Sequence, residues 1–379
     1  MKIFEFSLFE TPPGVRELRQ EVRTLLDREL AGTDPVRRAN CWMRHDADFS
    51  RALGQAGFIG MVWPKRFGGH DRSPAERYIV LEELLAAGAP VCAHWVADRQ
   101  SGPLILKYGT EQQKQRLLPG IVRGETYFCI GLSEPGAGSD LASVRTHARR
   151  VPEGWRISGQ KIWTTNAHRS QFMIALVRTG SIEERQAGLS QFIIDLSLPG
   201  LTVKPIVDLT GASEFNEVWF DDVLVSEEML IGEVGQGWKQ VTAELALERS
   251  GPERYLTSFS LLKALIHHAR GAGSEALTAV IGQAVAELWT LRQMSMSTAA
   301  KLAQGQDPSV EAAIVKDLGT AFEQSLPVLA QDLLEVDLSD QSDLARLLAY
   351  LLQVFPSFSL RGGTREILRG IIARGLGLR

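Results

Sequence analysis

The sequence has little of what marks secreted, membrane-spanning or nucleic-acid-binding proteins. Its 379 residues include three cysteines, Cys41, Cys92 and Cys129, an odd and widely spaced set that argues against a disulfide framework or a zinc site. No window approaches the roughly 18–20 apolar residues of a membrane span, and acids stand where a signal peptide needs a basic segment. The net charge is −4 with no long run of either sign, so no nucleic-acid partner is expected. These absences predict a soluble, cytoplasmic protein without a metal site.

The length of the chain and the changes in its sequence pattern predict several domains. With 379 residues, 44% of them hydrophobic, the chain exceeds the size at which a single core stops growing. Residues 1–127 are predicted to form an N-terminal helical domain, 128–235 a middle β domain, and 236–379 a C-terminal helical bundle. The predicted fold class is therefore α+β.

Helical signals dominate the first of these domains. Apolar residues recur at helical spacing over Val15–Leu30, and Ser73-Pro74 opens a second helical run. A third helix is predicted over Thr110–Val122, with threonine as the capping residue and an interruption at Pro119-Gly120.

Six short runs near the middle of the chain are rich in β-branched and aromatic residues and are separated by glycine or charged turns. They read TYFCIGLSE, HARRV, WRISGQKIWTTN, FMIALVRTG, SQFIIDL and NEVWFDDVLV. Such spacing within about a hundred residues indicates an antiparallel sheet or barrel.

From Trp238 onward the apolar stripes return to helical spacing. The helical segments are VTAELALERSGPERYLTSFSLLKALIHHA, EALTAVIGQAVAELWTLRQMSMSTAAKLA, EAAIVKDLGTAFEQSLPVLAQDLLEV and DLARLLAYLLQVF. Four helices joined by short polar loops predict a four-helix bundle.

Two segments of the β domain combine small residues with a flat aromatic ring. SEPGAGSD, Ser133–Asp140, has almost no side-chain bulk at its centre, so a ligand could approach backbone N–H groups. KIWTTN carries Trp163 and, two residues on and on the same face of a strand, Thr165. Taken alone, most such loops are turns and most strand tryptophans are core residues.

The two segments together, IGLSEPGAGSDLAS followed by GQKIWTTNA, resemble the flavin-binding signature of the acyl-CoA dehydrogenase family. GFIGMVWPKRFGG, KYGTEQQKQRLLPGIVRGE, NEVWFDDVLV with LIGEVGQGW, and the terminal GGTREILRGIIARGLGL also match family segments, in the family's order. The resemblance covers most of the chain except residues 265–355. It implies an N-terminal helical domain, a middle β domain and a C-terminal bundle, and FAD-dependent conversion of an acyl-CoA to its trans-2-enoyl-CoA.

The resemblance also implies roles for single residues. Leu132, Ser133 and Ser139 are expected to contact FAD, and Ser139 also the CoA arm of the substrate. Trp163 is expected against the isoalloxazine ring, with the Thr165 hydroxyl at flavin N5. Thr364, in the terminal GGTREIL segment, is assigned to the FAD site as well.

The catalytic base is the point where the chain departs from much of the family. Many members place a glutamate directly before a Gly-Thr pair, but this sequence has Gly362 there. Other members carry the base in a Glu-Arg pair on the first bundle helix, which corresponds to Glu248 with Arg249. Gly362 is expected to leave room for that carboxylate and to offer its backbone N–H to the thioester oxygen. Arg249 is expected to orient the substrate. The alternatives are that Glu248 belongs to a solvated face, or that Glu253 is the base.

A second departure concerns the subunit contacts of the family. The Arg-x-x-Phe-Gly segment that reaches the FAD of a neighbouring subunit is missing, and HHARGAGSEAL stands in its place, with Arg270 as a possible substitute. A metal site at His267 and His268 is not favoured, because adjacent helical positions diverge by about 100°. The chain is predicted to form a homodimer, a homotetramer or a heterotetramer with a paralogous chain. An electron-transferring flavoprotein is the expected electron acceptor.

Two other functions stay open. One is a non-catalytic partner subunit within the same family. The other is a related flavin enzyme with oxygen-using chemistry, such as a monooxygenase or a nitroalkane oxidase-like enzyme.

Overall fold

A computed structural model describes residues 4–7, 13–272, 274–334 and 336–378, apart from the side chains of residues 245–248 and 272. The chain divides into two compact units. The helical unit comprises Met1–Trp42, Arg72–Pro90 and Glu248–Arg379, and the sheet unit comprises Met43–Asp71 and Val91–Leu247. The domain boundaries expected near residues 127 and 235 stay predictions.

The α-helices of the described residues are α1 (Val15–Glu29), α2 (Pro35–Ala39), α3 (Ala47–Gln55), α4 (Pro74–Ala87), α5 (Cys92–Val96), α6 (Gly102–Tyr108), α7 (Glu111–Val122), α8 (Gly237–Glu248), α9 (Phe259–Ala272), α10 (Glu275–Ala303), α11 (Ser309–Leu333), α12 (Asp343–Val354) and α13 (Arg365–Gly375). The strands are β1 (Phe128–Gly131), β2 (His147–Val151), β3 (Gly154–Thr165), β4 (Phe172–Arg178), β5 (Leu189–Asp195), β6 (Leu201–Ile206) and β7 (Phe215–Val225).

Capping residues account for where several helices begin. Ser73 and Glu76 form a capping box at the start of α4, and Thr110 and Gln113 form another at the start of α7. Gly88 ends α4 with a left-handed φ of 75°. These bounds confirm the helices predicted from the sequence in this part of the chain.

The interruption predicted at Pro119-Gly120 is wrong, because α7 continues through both residues to Val122. Proline in a helix interior removes one hydrogen bond and costs about 3 kcal/mol. Here Leu118 and Ile121, on either side of the pair, are completely buried. Their burial offsets the lost bond, so tertiary packing overrides the local signal.

The first predicted bundle segment is two helices rather than one. Between α8 and α9 the chain makes a 3₁₀ turn at Pro252–Arg254. Gly251 and Pro252 account for the break, since glycine lowers helix propensity and proline has no N–H to donate. The three remaining bundle helices, α10, α11 and α12, follow the predicted segments. Within the helical unit α9 and α11 each pack against both α10 and α12, as in the predicted four-helix bundle.

Seven strands form one curled sheet in the sheet unit. The strand order is β1-β4-β2-β3-β7-β6, and β5 pairs with β4. Most neighbours are antiparallel, as predicted, but β1 and β2 each run parallel to β4, with Phe128 opposite Phe172 and His147 opposite Arg178. Trp155, Phe192 and Val218 belong to the buried cluster on one side of this sheet. This sheet supports the loop that follows β1.

The sequence did not predict β6. Its residues are exposed or half-buried throughout, and it carries Pro205 opposite Asn216 of β7. Proline in a sheet is confined to edges, because it cannot donate to a second neighbour. The strand lies at one end of the sheet order, so its pattern is that of an edge strand rather than of a buried one.

Among the residues that the structure describes, no helix is both long and apolar enough to span a membrane.

Candidate active site

The loop after β1 is fastened to β3 by three hydrogen bonds. The Lys161 ammonium donates to a carboxylate oxygen of Glu134 at 2.8 Å and to the carbonyl oxygen of Leu132 at 3.1 Å. The backbone N–H of Ile162 donates to the carbonyl oxygen of Ser133 at 3.0 Å. The two segments singled out in the sequence, Ser133–Asp140 and the end of β3, are therefore neighbours.

A buried ion pair organises this junction. Glu134 also accepts from the backbone N–H groups of Arg145, at 2.6 Å, and Thr146, at 2.9 Å. Burial raises the pKa of Glu134, but the Lys161 charge and these hydrogen bonds lower it by more, so the net shift is downward. Burial lowers the pKa of the Lys161 ammonium to about 8, against the opposing pull of Glu134. The lowered pKa of Glu134 favours the charged pair, whereas the lowered pKa of Lys161 favours the neutral pair. We assign the charged form, because the Glu134 carboxylate accepts hydrogen bonds from three donors.

Trp163 is turned outward by an irregularity in β3. The register between β3 and β7 shifts between Lys161 and Thr164, and Trp163 has a φ of 58°. Its indole is 57% exposed and makes an edge contact with Phe215, with 6.1 Å between ring centroids. Thr164 is buried, whereas Thr165 is half-buried. A bulge that re-aims a side chain at a strained residue is typical of functional sites.

The Ser133–Asp140 loop leaves its backbone open. A Cβ atom added at Gly136 or Gly138 would meet nothing within 4 Å. Glu134 and Ala137 exchange backbone hydrogen bonds of 2.9 and 3.0 Å, which fixes a tight turn. Ser133 is half-buried and Ser139 is exposed. A bare loop, uncharged hydroxyls and an outward-facing indole fit a large planar cofactor such as FAD.

Leu132 differs from the other candidates because its side chain packs inward. It lies against a buried apolar cluster of the sheet unit that contains Val144, Leu176 and Val241. Only the backbone of Leu132 is therefore placed to serve a ligand, and its carbonyl oxygen already accepts from Lys161.

The second group of candidate residues lies on the loop before α13, in the helical unit. Gly362 has a φ of 68° and Gly363 a φ of 99°, conformations that favour glycine. Thr364 caps α13, and its hydroxyl accepts from the N–H of Ile367 at 3.5 Å. Arg249 donates from Nε to the carbonyl oxygen of Gly362 at 3.4 Å. The residue after Glu248 thus contacts the glycine loop.

The side chain of Glu248 itself lies outside the described residues. Its backbone is the last residue of α8. Its assignment as base stays a prediction, as do the roles of Arg249 and the Gly362 N–H.

Next to Gly362 lies a buried arginine cluster that the sequence did not point to. The Arg361 guanidinium is 4.6 Å from the ring centroids of both Trp42 and Phe358. It donates to the Thr257 hydroxyl and to a Glu323 carboxylate oxygen, each at 2.8 Å. Burial lowers the pKa of Arg361, Glu323 raises it, and the nearby Arg254 charge lowers it again.

The Arg254 side chain ends beside Gly362. A Cβ atom at Gly362 would lie 2.9 Å from Nη2 and 3.2 Å from Cζ of Arg254, the far end of a flexible side chain. The expectation that Gly362 leaves room for a carboxylate from the helix stays a prediction, because the side chain of Glu248 lies outside the described residues. The sequence did not point to this neighbour, because Arg254 belongs to no family segment quoted above and buried arginines have no local signature.

In the part of the chain that the structure describes, no group of three or more histidine, cysteine or acidic residues could hold an ion. Cys41, Cys92 and Cys129 are buried and form no disulfide with one another, and burial raises the pKa of the Cys129 thiol to about 12.

Comparison with known proteins places the chain in a family. Residues 13–125 match the model of the acyl-CoA dehydrogenase N-terminal domain, and residues 129–223 match that of the middle domain. The acyl-CoA dehydrogenase IpdE1 of Mycobacterium tuberculosis is 35% identical over 380 residues, covering 96% of this chain and 98% of the relative. Acyl-CoA dehydrogenase FadE29 of the same organism is 30% identical over 377 residues, covering 95% and 96%.

Two solved structures extend the comparison. The Tcur3481-Tcur3483 steroid ACAD has a TM-score of 0.88 and 28% identity, covering 98% of each chain. The ChsE4-ChsE5 complex from Mycobacterium tuberculosis has a TM-score of 0.84 and 27% identity, covering 98% of this chain and 99% of the other. The chain belongs to the acyl-CoA dehydrogenase family, a family of flavoprotein oxidoreductases. The family resemblance, the fold class and the enzyme class predicted from the sequence are confirmed.

Proposed function

We propose that the chain catalyses the FAD-dependent α,β-dehydrogenation of an acyl-CoA thioester to the trans-2-enoyl-CoA, with Glu248 as the base. The observation that carries this proposal is the contact of Arg249 with the carbonyl oxygen of Gly362, at 3.4 Å. It brings the chain directly after Glu248 to the loop whose N–H is expected to bind the thioester oxygen.

The chain's own residues supply proton transfer and charge stabilisation. Glu248 removes the proton α to the thioester, which moves negative charge onto the carbonyl oxygen. The backbone N–H of Gly362 donates to that oxygen, and a donor fixed in advance stabilises charge without reorganisation. Bound FAD supplies the acceptor for the hydride that leaves the β carbon.

The flavin is proposed to bind a platform in the sheet unit, formed by the loop Ser133–Asp140 and the end of β3 at Trp163 and Thr165. The Trp163 indole offers a flat surface, and the Thr165 hydroxyl offers a donor on the same strand. Backbone groups at Leu132 and Ser133, together with the Ser139 hydroxyl, suit the polar parts of the cofactor, and Ser139 is also proposed to contact the CoA arm. Thr364 is assigned to the cofactor by the resemblance.

The test of the base is Glu248→Gln. The variant should keep its flavin and lose turnover by roughly 10²–10⁴-fold, because general base catalysis is removed. Turnover is measured anaerobically as bleaching of the flavin by acyl-CoA. Glu253→Gln serves as the comparison, since Glu253 is the competing base. Full activity in Glu248→Gln would sink the assignment, and full activity together with oxygen consumption would favour an oxygen-using relative.

The substrate class is proposed to be a bulky acyl-CoA, branched, long or sterol-derived. A base on the bundle helix is associated with branched and long substrates in the family, and one similar structure is named a steroid ACAD. The test mixes the yellow protein anaerobically with a panel of short, branched, long and sterol-type acyl-CoAs. The acyl-CoA that bleaches the flavin identifies the substrate class. Bleaching only by short-chain acyl-CoAs would overturn this proposal. An electron-transferring flavoprotein is the proposed acceptor.

A second candidate is the partner subunit of a hetero-oligomer that carries at most half of an active site. Two observations favour it. The Arg-x-x-Phe-Gly segment is missing. The ChsE4-ChsE5 neighbour is a complex of two named chains. If the chain purified alone carries a full complement of flavin and bleaches, this candidate fails; a colourless chain that gains flavin with a paralogous partner would support it.

A further inference from the structure

A cavity of about 470 Å³ opens in the helical unit between α2, the C-terminal end of α4, α9 and the start of α12. Ala86, Ala87 and Gly88 line it from the end of α4, and Ala264 lines it from α9, so small residues leave the space. Small-molecule sites in proteins have volumes of roughly 300–1,000 Å³. The cavity is therefore large enough for a ligand, and none of the described residues assigned to the flavin or to the glycine loop lines it.

The wall of the cavity is mostly apolar. Leu256 and Leu347 are buried beside it, and Pro35, Leu85 and Leu344 also contribute apolar side chains. In ligand sites, apolar walls hold the body of the ligand and a few polar groups fix its orientation. The occupant should therefore have an apolar body.

One face of α9 brings polar groups to the cavity. Lys263 and His267 follow Ser260 by three and seven positions, so the three residues share a face of the helix, and all three line the cavity. The Ser260 hydroxyl is buried and has no hydrogen-bond partner among the described residues. A buried hydroxyl without a partner is uncommon in folded proteins, and a ligand oxygen would supply one.

The Lys263 ammonium lies at the wall with donors to spare. It donates to the carbonyl oxygen of Ala86 at 3.0 Å, and Ala86 itself lines the cavity. The same ammonium lies 5.5 Å from the ring centroid of Phe259. Lys263 is exposed, and within the described parts of the chain it forms no ion pair and no second hydrogen bond. An ammonium has three hydrogens, so two of them are available to a ligand.

A second cation lies near this ammonium. Arg38 lines the cavity from α2, and its Nη2 donates to the carbonyl oxygen of Leu30 at 2.8 Å. Partial burial lowers the pKa of Lys263, the Arg38 charge lowers it further, and Cys41 raises it. An anion placed beside the two cations would favour the charged form of Lys263 and relieve their repulsion.

The acid on the wall already has a cation beside it. Asp343 is the single acidic residue among the described residues that line the cavity, and its carboxylate lies 3.6 Å from the Arg346 guanidinium. Arg346 also pairs with Asp34 at 2.6 Å, outside the lining. Two cations, Lys263 and Arg38, thus line the cavity together with one acid. The charge of the wall therefore suits an anionic group.

We propose that the cavity is a binding site for an apolar group that carries a carboxylate, with the apolar part against α4, α9 and α12 and the carboxylate at Lys263 and Arg38. Two sources have this chemistry: a free carboxylic acid, and an acyl-CoA whose acyl group ends in a second carboxylate. The second is compatible with the position of Thr257, which lines the cavity and accepts at 2.8 Å from Arg361, the residue before Gly362. Only the second source rests on the function proposed above.

The first test compares two probes of equal chain length, decanoate and the uncharged 1-decanol, titrated calorimetrically into the purified full chain. The wild type should bind decanoate more tightly than 1-decanol. Lys263→Met should weaken decanoate by about 5- to 20-fold, because a charge-assisted hydrogen bond at a partly exposed site is lost, and should change 1-decanol by less than about twofold. Lys263→Arg should restore most of the affinity for decanoate.

Comparing the two probes separates ligand binding from a structural role of the same residue. Lys263 also supplies a partner for a carbonyl at the C-terminal end of α4, where helix carbonyls lack one. Loss of that contact alone would lower the free energy of unfolding and would affect both probes alike. Lys107→Met is the matched control, because Lys107 is exposed and its ammonium lies 5.3 Å from the ring centroid of Tyr108. This control should bind decanoate as the wild type does.

A variant of the wall tests the cavity without touching its charges. Ala264→Phe places a large side chain in the space and should weaken decanoate and 1-decanol alike, by at least about tenfold. It carries the test if Lys263→Met fails to fold.

Anaerobic bleaching of the flavin identifies the source of the carboxylate. The probes are decanoyl-CoA and its counterpart with a carboxylate at the far end. If the ligand is an acyl-CoA, the wild type should prefer the carboxylate-bearing thioester, and Lys263→Met should lose about 5- to 20-fold in kcat/KM for that thioester alone. If the ligand is a free acid, Lys263→Met should bleach as the wild type does with both thioesters while losing affinity for decanoate.

The outcomes keep this site and the proposed function apart. Equal affinity for decanoate and equal thioester preference in wild type and Lys263→Met would overturn the site. A chain that bleaches with no acyl-CoA, but whose affinity for decanoate still depends on Lys263, would overturn the function proposed above and leave the site standing.

Discussion

The loop after β1 and the glycine loop before α13 are built in opposite ways. The first is fastened by residues of its own motifs, since Glu134 and Lys161 both belong to the segments that resemble the family. The second is surrounded by residues from distant parts of the sequence, such as Arg254, Glu323 and Trp42. Short motifs are therefore enough to specify the first loop, whereas the second depends on long-range packing.

The two regions also differ in how their charges are arranged. The first has one buried ammonium against one buried carboxylate. The second has two guanidinium–carboxylate contacts, Arg254 with Glu253 at 3.7 Å and Arg361 with Glu323 at 2.8 Å. The substitutions below test how each region depends on the residues around it.

The largest effect on stability is expected from Lys161→Met. Lys161 is completely buried, so its removal leaves the Glu134 carboxylate without its cation. Breaking a buried pair by removing one partner costs about 3–5 kcal/mol. The free energy of unfolding is measured with urea, and flavin content by absorbance. The double variant Lys161→Met/Glu134→Gln should recover part of the stability; no recovery would mean that Lys161 acts independently of Glu134.

The pH dependence of the same variant gives a second measure. The pKa of Glu134 is held below its ordinary 4.5, so its contribution to stability is complete above that pH and is lost as pH falls through the lowered value. Without Lys161 the pKa of Glu134 should rise. Acid unfolding of Lys161→Met should therefore begin at a higher pH than that of the wild type, and an unchanged acid midpoint would count against the ion pair.

Two tryptophans on one strand separate structure from binding. Trp155 is 4% exposed and Trp163 is 57% exposed, and both lie on β3. Trp155→Ala should destabilise the protein by about 3–5 kcal/mol through loss of core packing. Trp163→Ala should change stability by less than about 1 kcal/mol, because its ring is outside the core.

For FAD affinity the order of the two variants should be reversed, with the larger effect in Trp163→Ala. Loss of a stacked ring in Trp163→Ala should weaken FAD binding by about 3- to 10-fold, measured by fluorescence titration of the apoprotein. Where Trp155→Ala remains folded, its affinity for FAD should be nearly unchanged. Equal FAD affinity in wild type and Trp163→Ala would remove Trp163 from the cofactor site.

The sequence predicted the surroundings of the loop after β1 and the end of β3 better than the surroundings of the glycine loop, for physical reasons. The small residues of Ser133–Asp140 and the strand pattern around Trp163 are local features, so they can be recognised from adjacent residues in the sequence. The order of helices and sheet follows from apolar periodicity in the same way. The outward turn of Trp163 was not predictable from alternation, because it depends on the register with β7.

Long-range packing accounts for what was missed. Arg254 and Gly362 are more than a hundred residues apart, and neither has a neighbour that signals the contact. Pro119 stays inside α7 because flanking side chains are buried, which local propensity does not register. The edge strand β6 lacks a buried face, so its sequence resembles a loop.

A double variant asks whether the glycine loop can regain the base that other family members place there. In Glu248→Gln/Gly362→Glu, turnover should stay as low as in Glu248→Gln alone, because Arg254 would pair with the new carboxylate. Gly362→Glu should also destabilise the protein by about 1–3 kcal/mol through its φ of 68°. Thermal unfolding and anaerobic bleaching measure the two effects. Recovered bleaching in the double variant would show that Arg254 moves aside.

The smallest effect is expected from Thr257→Val, which tests how tightly the cluster behind Gly362 controls the loop. The hydroxyl accepts from Arg361 at 2.8 Å, while Glu323 accepts from the same nitrogen at 2.8 Å and remains in the variant. One hydrogen bond of this kind is worth about 0.5–1.5 kcal/mol, so unfolding should shift by that amount and turnover by no more than about threefold. Urea unfolding and anaerobic bleaching provide both numbers. A fall in turnover beyond tenfold with an unchanged free energy of unfolding would mean that the orientation of Arg361 sets the position of Gly362. The glycine loop would then depend on the Thr257 hydroxyl as well as on the charged groups around it.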